Sequence, residues 1–200
     1  MEETGKIATP PTRIEHFAFE WAFLSNFYPA EVRLWIKDGM VYAYEVPGAT
    51  VEIYASVEHA YQASKTLKAD KRWIFQLANN PKLAAGQAKH LGKKLKEQGH
   101  QREDWHEVNT EVMLDLLRQK FSHDPLKKKL IATGTAYLEE GNWWEDRHWG
   151  VCYGGLPDGF EGRKCKKWPH DPEGQNRLGI LLMSVRDQVA EVAPTTPAAV

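Results

Sequence analysis

Cysteine is scarce in this chain: among 200 residues there are only Cys152 and Cys165. Two thiols cannot make a disulfide scaffold. Without an export signal both are expected to be reduced, a single bridge between them being the alternative. Long apolar runs are missing as well. No stretch reaches 18 apolar residues, so no membrane-spanning helix is expected. The first residues, MEETGKIATPPTR, are acidic and polar and have no apolar core, unlike a secretory signal, so the expected location is the cytoplasm. Neither sign of charge dominates: 26 basic and 27 acidic residues leave a formal net charge of −1. Nucleic-acid binding through bulk charge is therefore not expected, although local patches could act. Walker loop, Rossmann glycine fingerprint, serine nucleophile elbow, paired Cys-x-x-Cys and His-Glu-x-x-His are all absent. A zinc ion would have to use His148, Cys152, Cys165 and His170, whose spacing fits no zinc signature. Neither a metal nor a cofactor is expected.

What is present is a globular composition, with 42% apolar and 26% charged residues. The length suits one domain able to bury a core. Residues 1–12 read as a flexible tail closed by Pro10 and Pro11, and 193–200 as a disordered tail, leaving 13–192 as the folded part. Eight tryptophans are many, and most are expected in the core, with an aromatic-lined pocket as the sharper reading.

The first third reads as strands. Val32 to Lys37 alternates, Asp38-Gly39 is a hairpin signal, and Val41 to Val46 and Val51 to Ala55 continue the pattern around Pro47-Gly48. At Ser56 the period becomes helical. Ser56 is expected to cap a helix through SVEHAYQASKTLK, and a second helix holds Trp73, Phe75 and Leu77. Asn80-Pro81 should start a third helix toward Leu95. Asp104 should cap a fourth with Val108, Val112, Leu116 and Phe121 on one face, and Asp124-Pro125 should start a fifth. A last helix spans about Asn176 to Val192, with Leu178, Leu181, Leu182, Val185 and Val189 inward. Between Glu139 and Gln175 lies a long irregular segment rich in Gly, Trp, Asp and His.

Three places carry chemistry. On the Ser56 helix, Glu58, Gln62 and Lys65 share one face, with His59 at its edge and Tyr61 beside it. A surface ion pair is the plain reading. The alternative is a first-turn carboxylate kept anionic by the helix N-terminus, and an amine that desolvation would make nucleophilic. The segment GNWWEDRHWGVC, 141–152, is either a buried corner or the wall of a pocket where rings stack a base and a carboxylate reads a ribose hydroxyl. GQNRLGILLMSVR, 174–186, opens a helix where Asn176 is an ordinary cap or part of an anion site. Basic clusters at 89–96, 127–129 and 163–167 read most simply as solvated faces; the third, with Trp168 beside it, would suit a nucleic-acid strand or a polyphosphate.

FLSNF (23–27), VEHAYQASK (57–65), Asp104-Trp105, WWEDRHWGVC and GQNRLGILLMSVR follow one another in an order that resembles the YbiA-like, or NADAR, family over roughly residues 17–190. The resemblance implies a single compact, helix-rich α+β domain, here with a short N-terminal β-hairpin region. It implies an enzyme that cleaves an N-glycosidic bond at C1 of a ribose. The activities known in the family are removal of ADP-ribose from guanine in nucleic acid and hydrolysis of early riboflavin intermediates; a module that binds ADP-ribose or NAD without cleaving is the remaining reading. The family's functional positions fall on Glu58, Lys65, Trp105 and Asp146, of which Glu58, Lys65 and Asp146 are the expected catalytic residues. Asn26, Phe27, His59, Gln62, Trp149, Gly150, Asn176 and Arg177 join Trp105 as expected substrate contacts. An insertion at about 152–173 departs from the shortest family members and bears on the substrate more than on the reaction. The expected partner is an ADP-ribose-containing substrate, ADP-ribosylated DNA or RNA included, with no membrane and no obligate protein partner.

Overall fold

The structure, a computed structural model, describes residues 11–153 and 173–191. In chain order the elements are β1 (Arg13–Ile14), a 3-10 turn (Phe19–Leu24), β2 (Val32–Lys37), β3 (Met40–Tyr42), β4 (Thr50–Tyr54), α1 (Val57–Ala63) and α2 (Ala69–Arg72). Then come a 3-10 turn (Trp73–Phe75), α3 (Ala85–Glu97), α4 (Trp105–Lys120), α5 (Leu126–Ile131), β5 (Tyr137–Leu138), β6 (Gly141–Asn142), β7 (Val151–Cys152), β8 (Glu173–Gly174) and α6 (Arg177–Glu191). The class is the expected helix-rich mixture of helix and sheet. Two compact units arise from this order. One is the continuous stretch 22–127; the other joins 1–21 to 128–200.

In the continuous unit β2 is the middle strand of three, antiparallel to β3 and β4, with Trp35 opposite Tyr42 on one side and Val51 on the other. Asp38 and Gly39 both take positive φ, 52° and 78°, the conformation a tight primed turn needs. Val32, Leu34, Val41 and Tyr54 are buried, and α1 and α4 pack on this sheet. All seven residues of α1 are buried, with α3 and α4 against it. A helix enclosed on every side needs a partner for each polar side chain. A buried charge in the same unit is paired too. Arg72, 1% exposed, donates to both carboxylate oxygens of Glu52 and to the carbonyls of Thr66 and Leu67.

Three helix expectations change here. The Ser56 helix ends at Ala63, not at Lys68. The N–H groups of Lys65 and Thr66 bond three residues back, to Gln62 and Ala63, so the chain tightens into a 3-10-like exit. Ser64 Oγ donates to the Tyr61 carbonyl and Thr66 Oγ1 accepts from the Lys68 N–H. Such side-chain bonds compete with helix continuation. The expected second helix shrinks to the single turn of α2 and the 3-10 turn after it. The third helix starts at Ala85, because Asn80-Pro81 sits in a turn closed by the Leu83 N–H on the Asn80 carbonyl. Gln87 Oε1 then accepts from the Ala84 N–H, satisfying a donor at the helix start.

In the second unit β1 runs parallel to β5, while β7 lies between β6 (parallel) and β8 (antiparallel). The segment read as irregular therefore contains three short strands. Along α6, which packs on β5, Leu178, Leu182 and Val185 are buried as expected, whereas Leu181 and Val189 are half-buried. Arg186 is buried with them and donates to Thr133 Oγ1 and the Ala136 carbonyl. Most of the tryptophans are not core. Among the described ones only Trp105 is buried, and Trp73 and Trp144 are more than half exposed. An indole is large and carries one N–H donor, which favours partly wet positions.

Cys152 is disulfide-bonded, which corrects the expectation of a reduced thiol; Cys165, the cluster 163–167, Trp168, His170 and nearly all of the insertion lie outside the described residues, as do 1–10 and 192–200. Among the described residues no helix is long and apolar enough to cross a membrane, and no group of three His, Cys, Asp or Glu could hold a metal ion.

Candidate active site

Glu58 lies in the first turn of α1, where the backbone N–H groups have no partner inside the helix. Its own N–H donates to the carbonyl of Asn26, so the FLSNF segment closes the helix from outside. Ser56 occupies the N-cap with an extended backbone, yet its side chain makes no cap bond. Its hydroxyl lies 2.8 Å from His59 Nδ1. The other ring nitrogen, Nε2, is 2.8 Å from the carbonyl of Leu83 and must donate to it; in the neutral ring Nδ1 then accepts from Ser56. Burial, which outweighs the bond to Leu83, lowers the pKa of His59. Expected as a substrate contact, His59 has both ring nitrogens engaged within the fold.

Glu58 is 6% exposed, and its carboxylate accepts a 2.7 Å hydrogen bond from Gln62 Nε2 one helical turn on. A charged acceptor makes this bond stronger than a neutral one. Gln62 is itself 4% exposed, and its Oε1 has no hydrogen-bond partner. It faces Gly92 of α3: a Cβ added at Gly92 would lie 1.8 Å from that oxygen and 2.7 Å from Cδ. The glycine is what lets the amide fit. Gln62, expected to touch substrate, here sets the orientation of Glu58. Asn26 is also buried, its Nδ2 donating weakly to Met113 Sδ and its Oδ1 unpartnered. Phe27, by contrast, is 45% exposed.

Lys65 follows the end of α1 and is half-buried. Its Nζ lies 5.3 Å from the ring centre of Tyr61 and 6.0 Å from that of Trp105, and the two rings are 5.0 Å apart. Aromatic faces attract the ammonium form of this side chain electrostatically and fix its place. The Lys65 carbonyl accepts a 2.7 Å bond from the Arg102 N–H. Arg102 in turn holds Asp104 through two bonds of 2.6 and 2.7 Å. That pair keeps the Asp104 carboxyl below its usual range, chiefly through the Arg102 hydrogen bond. Asp104 thus starts α4 at the expected place without a side-chain cap bond, its oxygens being spent on the arginine. Glu58, Gln62, Lys65 and Trp105 are assembled in one unit on α1, its exit and the start of α4.

The remaining expected residues lie in the other unit. Asp146 Oδ1 accepts from the Trp149 N–H at 2.9 Å, which folds the loop back on itself. The organiser is Asn142, fully buried. Its Oδ1 accepts from the Asp146 N–H, and its Nδ2 donates to the carbonyls of Asp146 and Val151. Sequence reasoning missed Asn142, because an asparagine beside two tryptophans has no spacing signature. Gly150 is buried, and a Cβ there would meet the Glu140 carbonyl at 2.2 Å. Backbone bonds from Gln175, Asn176 and Leu178 to Arg147, Gly150 and Trp149 bring the tryptophan-rich segment and the helix-opening segment together. Asn176 has φ +46° and is 3% exposed. Its Oδ1 accepts from the Glu140 N–H while its Nδ2 donates to the Leu138 carbonyl and the Tyr137 hydroxyl. It ties the start of α6 to β5, rather than simply capping the helix. Arg177 begins α6 and donates to Gln175 Oε1.

The model of the NADAR domain matches residues 15–190. The N-glycosidase YbiA of Escherichia coli is 34% identical over 134 residues, which cover 66% of this chain and 69% of that protein. A riboflavin biosynthesis protein of Vibrio vulnificus is 32% identical over 173 residues, 86% of this chain; the chain spans only 36% of that longer protein. The NMR structure of E. coli YbiA superposes with a TM-score of 0.59 at 24% identity, covering 96% of this chain and 99% of that one, which shows the shared fold. The chain belongs to the NADAR domain family.

Proposed function

We propose that this protein is an N-glycosidase that removes ADP-ribose from guanine, in nucleic acid or a nucleotide, by cleaving the bond between the base and C1 of ribose. The observation that carries the reading is the Glu58 carboxylate, enclosed and oriented by Gln62, seven residues before an amine set against two aromatic rings. The names of the E. coli and V. vulnificus relatives are consistent with chemistry on a ribosyl bond.

The proposed chemistry needs no group beyond the chain and water. Glu58, having taken a proton from the Lys65 ammonium, gives it as general acid to the departing base while the C1–N bond breaks and an oxocarbenium-like centre develops. The Lys65 amine adds to C1, and opening of the ribose ring leaves an imine between Lys65 and C1. Glu58, now the base, takes a proton from water, which hydrolyses the imine and frees the lysine. The sum is base–ribose plus water giving free base and ADP-ribose. Trp105, in the same unit as Glu58 and Lys65, flanks the base.

The test is release of ADP-ribose from guanine on a short DNA strand. Glu58→Gln is expected to lower kcat by about 10²–10⁴-fold with the fold retained. Lys65→Ala should lose any adduct trapped by borohydride. Turnover near wild type in Glu58→Gln would refute the acid–base role. A trapped adduct that persists in Lys65→Ala would remove lysine from the covalent step. The likeness to the V. vulnificus protein favours a second reading, hydrolysis of a riboflavin intermediate. Cleavage of such an intermediate, with the guanine substrate untouched, would select it. ADP-ribose binding without any cleavage would make the chain a reader.

A further inference from the structure

Residues 82–97 carry Lys82, Lys89, Lys93, Lys94 and Lys96 against a single acid, Glu97, whose carboxylate lies 3.8 Å from the Lys93 amine at the end of α3, in a chain whose net charge is −1. All five lysines are exposed. The buried side of α3 is Ala88, Gly92 and Leu95. Helical spacing therefore sets His90, Lys93 and Lys94 on the opposite, outer side. Where that side begins there is an open cleft of about 540 Å³, lined by Lys82, Leu83, Gly86, His90 and Leu91 among others. Phe27 stands at its rim: a Cβ on Gly86 would be 3.8 Å from its ring. The residue before Phe27 is Asn26, whose carbonyl holds the Glu58 N–H. The Leu83 carbonyl is held by His59 of α1. The cleft thus connects the basic side of α3 to the segments that fix the candidate catalytic helix. Exposed residues at the start and along the outside of α4 have the opposite sign, with Glu103, Glu107 and Glu111 at four-residue spacing.

We infer that the outer face of α3 and the cleft at its start dock a single-stranded nucleic acid, with Lys82, Lys93 and Lys94 on the phosphates and Phe27 stacking a base. The inference rests on the proposed removal of ADP-ribose from guanine, and it assigns that reaction a strand rather than a free nucleotide as substrate. Lysines along one side neutralise a phosphate track, an exposed ring accepts any base face, and the acidic side of α4 repels the strand from the wrong side. A free nucleotide carries its few phosphates in one place and would not engage lysines spread along a helix of 13 residues.

The test uses the full chain and a fluorescein-labelled, unmodified DNA strand of roughly 12 nucleotides, within the range a small domain covers. Binding is followed by anisotropy across a salt series. Wild type should lose affinity steeply as salt rises. Each phosphate contact contributes a slope of about −0.7 in log K against log salt. Lys82→Gln, Lys93→Gln and Lys94→Gln together should make the slope shallower by about 2, with the thermal midpoint little changed. Phe27→Ala should weaken binding roughly tenfold at an unchanged slope, the pattern of lost stacking. A wild type that shows no salt-dependent binding overturns the inference, as does a triple variant with the wild-type slope. Equal binding to a poly-glutamate peptide, lost in the same variant, would assign the face to an acidic protein partner and overturn it too. Because this assay needs no turnover, an absence of glycosidase activity counts against the proposed reaction and leaves the docking result readable.

Discussion

Replacing Gly92 with alanine adds one methyl group on α3 and should disable a carboxylate on α1. The added Cβ would lie 1.8 Å from Gln62 Oε1, 2.7 Å from Cδ and 3.1 Å from Cβ. The oxygen is the mobile end of a side chain, but the closeness of Cδ means the whole amide must swing. It can do so only by giving up its 2.7 Å bond to Glu58. Three contributions set the size. Alanine is a better helix former than glycine by about 0.8–1.0 kcal/mol. Overpacking a buried site costs about 1–3 kcal/mol. Losing a hydrogen bond to a charged group costs about 1.5–3 kcal/mol. The net is a loss of about 1.5–5 kcal/mol, against the gain of up to about 1 kcal/mol that the same change gives in an open helix.

Urea denaturation at constant m reads the stability, and kcat on the cleaved substrate reads the orientation of Glu58. A double-mutant cycle isolates the mechanism. In a Gln62→Ala background the amide is gone, so Gly92→Ala should be close to neutral, and the coupling should exceed about 1 kcal/mol. kcat should fall in Gly92→Ala and in Gln62→Ala by similar factors, with no further fall in the double variant. If Gly92→Ala costs the same in both backgrounds, or leaves kcat unchanged, the amide is not what links α3 to Glu58.

His59 supplies a pH dependence. Its folded pKa is lowered, so the neutral ring stabilises the fold fully above the unfolded value of about 6.5, and that stability is lost as pH falls through the lowered folded value. The unfolding free energy should decline on acidification below about pH 6.5, and His59→Gln should flatten this part of the profile; an unchanged profile would remove His59 from it. Asn176→Ala should cost about 2–4 kcal/mol, from three lost side-chain bonds and an alanine at φ +46°. Asn176→Gly should recover only the backbone share, and equal stability of the two variants would show that strain contributes nothing.

Features set by neighbours in the chain were legible in the sequence. Asp38-Gly39 names its own turn, because two positive φ values in a row suit few residue pairs. The start of α4 after Asp104 and the buried stripe of α6 follow from local spacing. Features decided by distant partners were not. The exit from α1 at Ala63 depends on Ser64 and Thr66 turning their hydroxyls to the backbone. Ser56 reads as a cap, but His59 takes its hydroxyl. Gly92 did leave a trace: a glycine inside KHLGKKLK weakens the helix, which points to a close approach by something. The sequence does not say that a glutamine thirty residues earlier is what approaches.

The candidate site has the same division. Glu58, Gln62 and Lys65 are close in sequence, and their types suggest acid–base and amine chemistry before any fold is known. Their geometry is a tertiary property. A helix of seven residues is too short to persist alone, so α1 exists only because its surroundings hold it. Those surroundings also set the chemistry. The carbonyl of Asn26 anchors the first turn at Glu58, the bare α-carbon of Gly92 admits the amide that orients its carboxylate, and the ring of Trp105 stands beside the Lys65 amine. Each of these comes from a different element. Substitutions at Asn26, Gly92 or Trp105 should therefore act on Glu58 and Lys65 as strongly as changes within α1 do, although none of the three carries an acid or an amine.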